Sequence, residues 1–311
     1  MFRQTTLRNS MSAKGIGLHT GKLIRITIRP AQEDTGIVFN RVDLHNVSIQ
    51  CKATNVTSTE LSTTISNGKG EPSVSTVEHL MAAFAGLGID NVYVDLDGPE
   101  VPIMDGSSSA FIFLIQSAGL TSQNKLRKVI RIKKEVRVND GDKHVCLKPY
   151  DGFKVDYSID FNHPLFNDKP KTVSIDFSKQ SFKQELSRAR TFGFINDIEK
   201  LRSKGLVLGG STDNAIVIDD YRIINKDGLR YNDEFVKHKV LDSIGDLYLL
   251  GSPILGHLSA HKSGHNLNNK LVRTILQDES CWEYVKNDYS NYDLYDSLEK
   301  RYNLCRTSVF G

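Results

Sequence analysis

Apolar side chains fall on nearly every face of a 3.6-residue helix along residues 233–251. Asp233 offers an N-cap and Gly251 a stop, so the stretch predicts one helix, buried nearly all round. His238, Asp242 and Asp246 lie within about 80° of one another on it. Phe235, Leu241, Gly245 and Leu249 flank that stripe, so it is not a solvated edge. Burying an imidazole and two carboxylates is costly without compensation. From the helix alone, a metal ion and a metal-free His–Asp ion pair account for the pattern equally well.

The rest of the chain alternates short β-like runs with a few helical ones. Residues 22–29 alternate as a half-buried strand after Gly15-Ile-Gly-Leu-His-Thr-Gly21. That glycine spacing, with a strand after it, none before it and no helix following, excludes a dinucleotide loop. His19 reads as a turn or surface histidine. Residues 36–66 suggest small antiparallel strands, closed by a turn at Asn67–Gly70. Ser75 to Gly86 forms a short amphipathic helix in which Ser75 and Glu78 have capping-box spacing. A strand at 91–96 and a second helix from Met104-Asp-Gly-Ser107 to Gly119 follow. Thr121–Lys125 is a polar stretch that suggests a boundary between domains at 1–124 and 125–280, with a tail at 281–311. The second part continues with strands near 128–138, 153–161 and 172–177, a β-α-β insertion at 189–218 with Asn196 as helix cap, and a helix from 264 to 276.

Val77-x-His79 with Gly86 is repeated by Val236-x-His238 with Gly245 at the same offsets. The expected fold class is therefore α+β: two similar domains, each a β-sheet packed on helices, with a histidine helix from each meeting in the middle.

Composition narrows the function without naming it. The 311 residues are 39% hydrophobic and 25% charged, enough for two ordinary cores. A net charge of +3 and a basic run without interleaved aromatics argue against nucleic acid and fit an anionic small molecule. Cys51, Cys146, Cys281 and Cys305 have no paired spacing and read as free thiols in a reducing compartment. No signal core and no membrane-length apolar run occur, so a cytoplasmic location is expected.

The chemistry-bearing residues are Glu78-His79 on one helix, His238 and Asp242 on another, and His265 in a third segment. Two histidines and one carboxylate would leave a fourth metal position open to water, a catalytic arrangement. His-Glu-x-x-His and Gly-x-Ser-x-Gly are both absent, which removes ordinary zincins and serine hydrolases. These segments, in order, resemble the UDP-3-O-acyl-N-acetylglucosamine deacetylases (LpxC): Gly15–Gly21, Val77-Glu-His-Leu80, Met104-Asp-Gly-Ser107, His238-Lys-Val-Leu-Asp242 with Gly245-Asp246, and Lys262-Ser-Gly-His-Asn266.

The resemblance covers residues 1–277 and implies two facing domains around a zinc cleft, with the β-α-β insertion in the second. It implies Zn2+, or Fe2+ in the cell, on His79, His238 and Asp242. It further implies Glu78 as general base, His265 held as imidazolium by Asp246, and Thr191 as donor to the oxyanion. Phe192, Phe194, Ile195, Ile198, Leu201, Ala215 and Val217 would form an apolar passage for the acyl chain. Lys239, Lys143 and Phe161 are candidate diphosphate, sugar and stacking contacts. The implied reaction removes the N-acetyl group of an acylated UDP-sugar, the committed step of lipid A assembly, in a monomer that touches a membrane surface only transiently. The alternative is a sugar-nucleotide-binding protein with a structural metal, which would require a fourth protein ligand. His257 and His261 form a ladder with His265 in sequence, but only His265 belongs to the resemblance.

Overall fold

The computed structural model describes residues 2–285, so Cys305 and the tail from 286 lie outside the described residues. The class is α+β, with several sheets and few helices. The helices are α1 (Glu78–Leu87), α2 (Ser109–Ala118), the short α3 (Phe182–Glu185), α4 (Ile195–Ser203), α5 (Glu234–Leu247) and α6 (His265–Gln277).

Two larger sheets repeat one design. The first runs Met11–Ile16, Leu23–Pro30, Val92–Leu96, Ile37–Arg41, Val47–Gln50. Its successive pairings are antiparallel, antiparallel, parallel, antiparallel. The second runs Val136–Asp140, Lys143–Lys148, Ile254–His261, Phe153–Ser158, Thr172–Asp176, with the same four senses in the same order. In both, a helix (α1 or α5) precedes the central strand and another (α2 or α6) follows it. The faint echo between the two histidine helices is thus part of a repeated topology. Ile130–Ile132 and Trp282–Tyr284 extend the second sheet.

Hydrophobic side chains of both halves form one continuous cluster, including Phe84 and Met81 of α1 and Phe235, Val240 and Leu241 of α5. The contact between α1 and α5 is its centre. A Cβ at Gly245 would sit 2.0 Å from the carbonyl oxygen of Glu78, so only glycine lets the two backbones approach this closely.

Several local expectations change. Thr121–Lys125 is no linker: Leu120–Leu126 is a strand, antiparallel to Arg3–Leu7. Its polar residues form the more exposed strand of a two-stranded ribbon whose other strand is buried, which makes a strand look like a hinge. A strand does precede Gly15–Gly21, but the segment closes a hairpin with Leu23–Pro30, so the exclusion of a dinucleotide loop stands. Ile37–Arg41 belongs to the first large sheet, and the small separate sheet is Val56–Ser58, Thr64–Ser66 and Ser73–Val74.

The caps differ too. Glu78 makes no capping box, because Thr76 turns with φ +59 and α1 starts at Glu78 itself. Asp233 precedes α5 as expected, yet its carboxylate ion-pairs with Lys237 instead of capping. Asn196 lies inside α4, bonded to Asp220. The β-α-β insertion is present, with Phe192–Phe194 and Ile216–Ile218 parallel around α4. Among the described residues no helix is long and apolar enough to cross a membrane.

Replacing Gly245 with Ala should force α1 and α5 apart and cost about 1–3 kcal/mol of stability. Gly68→Ala, whose added carbon meets only an ordinary contact at 3.7 Å, should stay within about 0.5 kcal/mol. Denaturant unfolding of the two variants checks this.

Candidate metal centre and cleft

The α1–α5 crossing brings three side chains together. His79 Nε2 lies 3.4 Å from Asp242 Oδ1, and His238 Nε2 lies 3.3 Å from the same oxygen. The two imidazoles meet edge to face, 4.9 Å between centroids. All three residues are buried, and Asp242 Oδ1 has no hydrogen-bond partner. An orphaned carboxylate oxygen facing two imidazole nitrogens would be costly if nothing else bound there. Bonds of about 2.0–2.1 Å in a tetrahedral site put neighbouring donors about 3.3–3.4 Å apart, which is the spacing of each imidazole nitrogen from Asp242 Oδ1. His79, His238 and Asp242 therefore fit a divalent metal ion, and among the described residues the group has three members, with no fourth.

The environment prepares these donors. His238 Nδ1 faces the Ala189 carbonyl at 3.0 Å, so that nitrogen carries the proton and Nε2 is left with its lone pair. Burial pushes His238 down to about 3, against the pull of Asp242, so it is neutral and able to ligate. Burial would raise Asp242, but the cations of Lys239 and His265 hold it well below the usual carboxylate range. Lys239 Nζ donates to Asp242 Oδ2 at 2.7 Å.

Beside this cluster lies a second one built around Asp246, which turns away from the three donors. Its carboxylate accepts from Thr63 Oγ1 at 2.6 Å and Asn268 Nδ2 at 2.8 Å, and pairs with His265 Nδ1 at 2.9 Å. Ser263 Oγ donates to Asn268 Oδ1 at 2.7 Å and so orients that amide. Burial pulls His265 down, but Asp246 and Glu78 more than offset it and the imidazole is pushed up to about 9. The other ring nitrogen, Nε2, stands 3.8 Å from Glu78 Oε1. Glu78 Oε2 accepts the Thr63 backbone N–H at 3.0 Å, and burial raises this carboxyl above its ordinary range, opposed by His265. A protonated imidazole and a buried carboxyl thus face each other next to the three donors.

A cavity of about 660 Å³ opens from this point. Thr191, Phe192, Phe194, Ile198, Ala215, Lys143, Phe161 and Lys239 all line it, as do Leu201 and Val217. Thr191 is held by its N–H to Gly106 O and by Ile216 N–H to its own carbonyl, both 2.8 Å. Gly106, at φ +83, admits this approach, since a Cβ there would lie 2.1 Å from Asn214 O. Phe161 packs edge-on to Phe192 at 5.5 Å and against Phe194 at 5.9 Å.

Two expectations are corrected here. Ile195 is 40% exposed and does not line the cavity, because it opens α4 on the outer side. His19 is no surface residue: it is buried on the cavity wall, both ring nitrogens unpartnered, and burial lowers its pKa against the pull of Glu100. Its loop is held down because Glu100 accepts the backbone N–H groups of His19 and Thr20. His257 and His261 bond Asp156 and Ser158 of the neighbouring strand, outside the cavity. Thr63 and Asn268 carried no signal in the sequence, since single polar residues gain meaning only from the partners that folding gives them, and Ser263 entered only as part of the Lys262–Asn266 segment.

A family model described as UDP-3-O-acyl N-acetylglycosamine deacetylase (LpxC) matches residues 4–277. The chain belongs to this family. Among curated relatives named UDP-3-O-acyl-N-acetylglucosamine deacetylase, that of Teredinibacter turnerae is 58% identical over 289 residues, 93% of this chain and 95% of the relative. That of Thioalkalivibrio sulfidiphilus is 57% identical over 286 residues, 92% and 93% respectively. That of Marinobacter nauticus is 56% identical over 289 residues, 93% and 94%. The LpxC match spans the first large sheet, the second except its edge strand Trp282–Tyr284, the insertion and every residue of the two clusters.

Two measurements follow. Titrating the metal-free chain with Zn2+ should give one ion per chain, and Asp242→Ala should weaken it by at least about 100-fold. Because the folded His265 pKa of about 9 exceeds its ordinary 6.5, its contribution to stability is full below pH 6.5 and lost as pH rises through 9. Denaturant unfolding of the metal-free chain should show that decline, and His265→Gln should remove it.

Proposed function

We infer that this chain is the metal-dependent amidohydrolase that removes the N-acetyl group of a UDP-3-O-(3-hydroxyacyl)-N-acetylglucosamine, releasing acetate in the committed step of lipid A biosynthesis. The observation that carries the reading is the three-donor cluster beside the facing Glu78 and His265, in a chain of this family. Two similar domains, the first closing with the strand Leu120–Leu126, face each other across the cleft, and the nitrogen and oxygen donors suit Zn2+, or Fe2+ in the cell.

The family resemblance suggests the roles, and the geometry supports them. His79, His238 and Asp242 would hold the ion, which would supply a Lewis acid for the acetamide carbonyl and lower the pKa of water. Glu78 takes the proton of the attacking water; its buried carboxyl, raised in pKa, is a stronger base than a surface glutamate. His265 enters the reaction protonated, steadied by Asp246. Its Nε2 stabilises the negative charge on the tetrahedral carbon's oxygen and then hands its proton to the departing amine. Thr191 donates its hydroxyl to the same oxyanion. Placing base and acid on separate, individually held side chains lets one proton be taken up while another is delivered.

The apolar arm of the cavity fits the acyl chain, with Phe192, Phe194, Ile198 and Ala215 as its walls. Lys143 and Lys239 offer cations to the diphosphate and sugar, and Lys239 has donors to spare beyond its bond to Asp242. Phe161, on the cavity wall, is the candidate stacking contact for the base or sugar. The substrate is held as a soluble chain would hold it, in the cytoplasm, by a monomer meeting the membrane surface only to collect a lipid-like substrate.

Acetate release from the acylated UDP-sugar, on metal-quantified protein with and without a chelator, tests the reading. Activity should vanish on chelation and return with Zn2+; activity indifferent to chelation would sink it. Glu78→Gln should lower kcat by about 10²–10⁴-fold while leaving metal content unchanged.

A further inference from the structure

Helix α5 is tied twice to the two residues that lead into the β-α-β insertion. One tie is the bond between His238 Nδ1 and the Ala189 carbonyl, 3.0 Å. The other lies one helical turn earlier, at Glu234, which is fully buried. Its Oε1 accepts the Arg190 backbone N–H at 3.0 Å and Arg190 Nε at 2.9 Å, and its Oε2 meets Arg190 Nη2 at 3.2 Å. Oε2 also accepts the Arg230 backbone N–H at 2.6 Å, and Arg190 Nη2 reaches the Gly228 carbonyl at 2.7 Å.

Glu234 and His238 are four residues apart and share one face of α5. Ala189 and Arg190 are neighbours in the chain, so the four residues close a ring. Fixing Arg190 against Glu234 fixes where the Ala189 carbonyl can stand, and with it the tautomer and plane of the His238 imidazole. The next residue is Thr191, whose backbone is pinned to Gly106 and Ile216. The frame reaches the other half of the chain through Arg230, whose Nη1 donates to Asp105 Oδ2 at 2.7 Å, next to Gly106. An ion pair buried this deeply loses hydration on both sides, so its charge–charge attraction adds little net stability. Its worth is therefore in geometry.

We propose that Arg190 and Glu234 are a positioning pair: together they set the Ala189 carbonyl that aims His238 Nε2 and the station of Thr191. The pair touches neither substrate nor ion, and the inference rests on the reading of His238 and Thr191 given above.

The test uses the full chain with Glu234→Gln and Arg190→Lys. In the metal-free wild type, nitrogen NMR of the imidazoles should find His238 as the single Nδ1–H tautomer, and each variant should give a mixture. Zn2+ affinity, read by competition with a chromophoric chelator in the absence of substrate, should fall about 10–100-fold. At saturating Zn2+, kcat should fall while KM stays within about twofold, since Thr191 acts on the oxyanion. A lowered melting temperature with tautomer, Zn2+ affinity and kcat all unchanged would overturn the proposal and leave the pair a purely structural one. Should Glu234→Gln not fold, Arg190→Lys keeps the charge, loses the fork and carries the same readouts. A wild type that binds no Zn2+ would overturn the metal reading instead, and the tautomer comparison would still decide the positioning role.

Discussion

Everything in the site hangs on the closeness of two helix backbones. Gly245 of α5 lies directly over the carbonyl of Glu78 on α1, leaving no room for a side chain between them. At that separation His79 from one helix can share an oxygen of Asp242 from the other. Were the helices at the 8–10 Å usual for packed side chains, the donors would belong to two separate pockets. Close approach is thus the condition for a shared metal site, and the large apolar cluster around α1 and α5 provides the force that keeps it.

The same crossing separates two electrostatic tasks along one helix. Asp242, one turn after His238, faces the imidazoles and is kept ionised by Lys239 and His265. Asp246, one turn further, is saturated by Thr63, His265 and Asn268 and serves to keep His265 charged. Two carboxylates four residues apart are given different work by their neighbours alone. The repeated sheet topology explains how two such helices come to face each other, since each half supplies an equivalent helix ahead of its central strand.

How much of this could be read from the residues depends on how local the signal is. The buried helix at 233–251 was legible because an apolar surround makes His238 and Asp242 conspicuous, and the resemblance supplied His79, Glu78 and His265. The repeated glycine offsets hinted at the helix crossing. The end of the first half was misread, because Leu120–Leu126 is polar and earns its strand only by pairing with residues more than a hundred positions away. His19 lies in a turn as read, but its burial was missed: it comes from Glu100 gripping the loop backbone and from Leu208 and Gly209 of the insertion bonding over it, neither of which a short window reveals. Thr63, Asn268, Arg190 and Glu234 were silent in the sequence, being ordinary polar residues whose importance lies wholly in distant partners.

The central claim is that three side chains from two closely packed helices hold one ion and leave a side open to solvent and substrate. Anomalous X-ray scattering at the zinc edge, from crystals of the metal-loaded chain, tests it most directly. The account predicts one strong peak bonded to His79 Nε2, His238 Nε2 and an oxygen of Asp242, with no further protein donor. A peak elsewhere, or one enclosed by a fourth side chain, would contradict it.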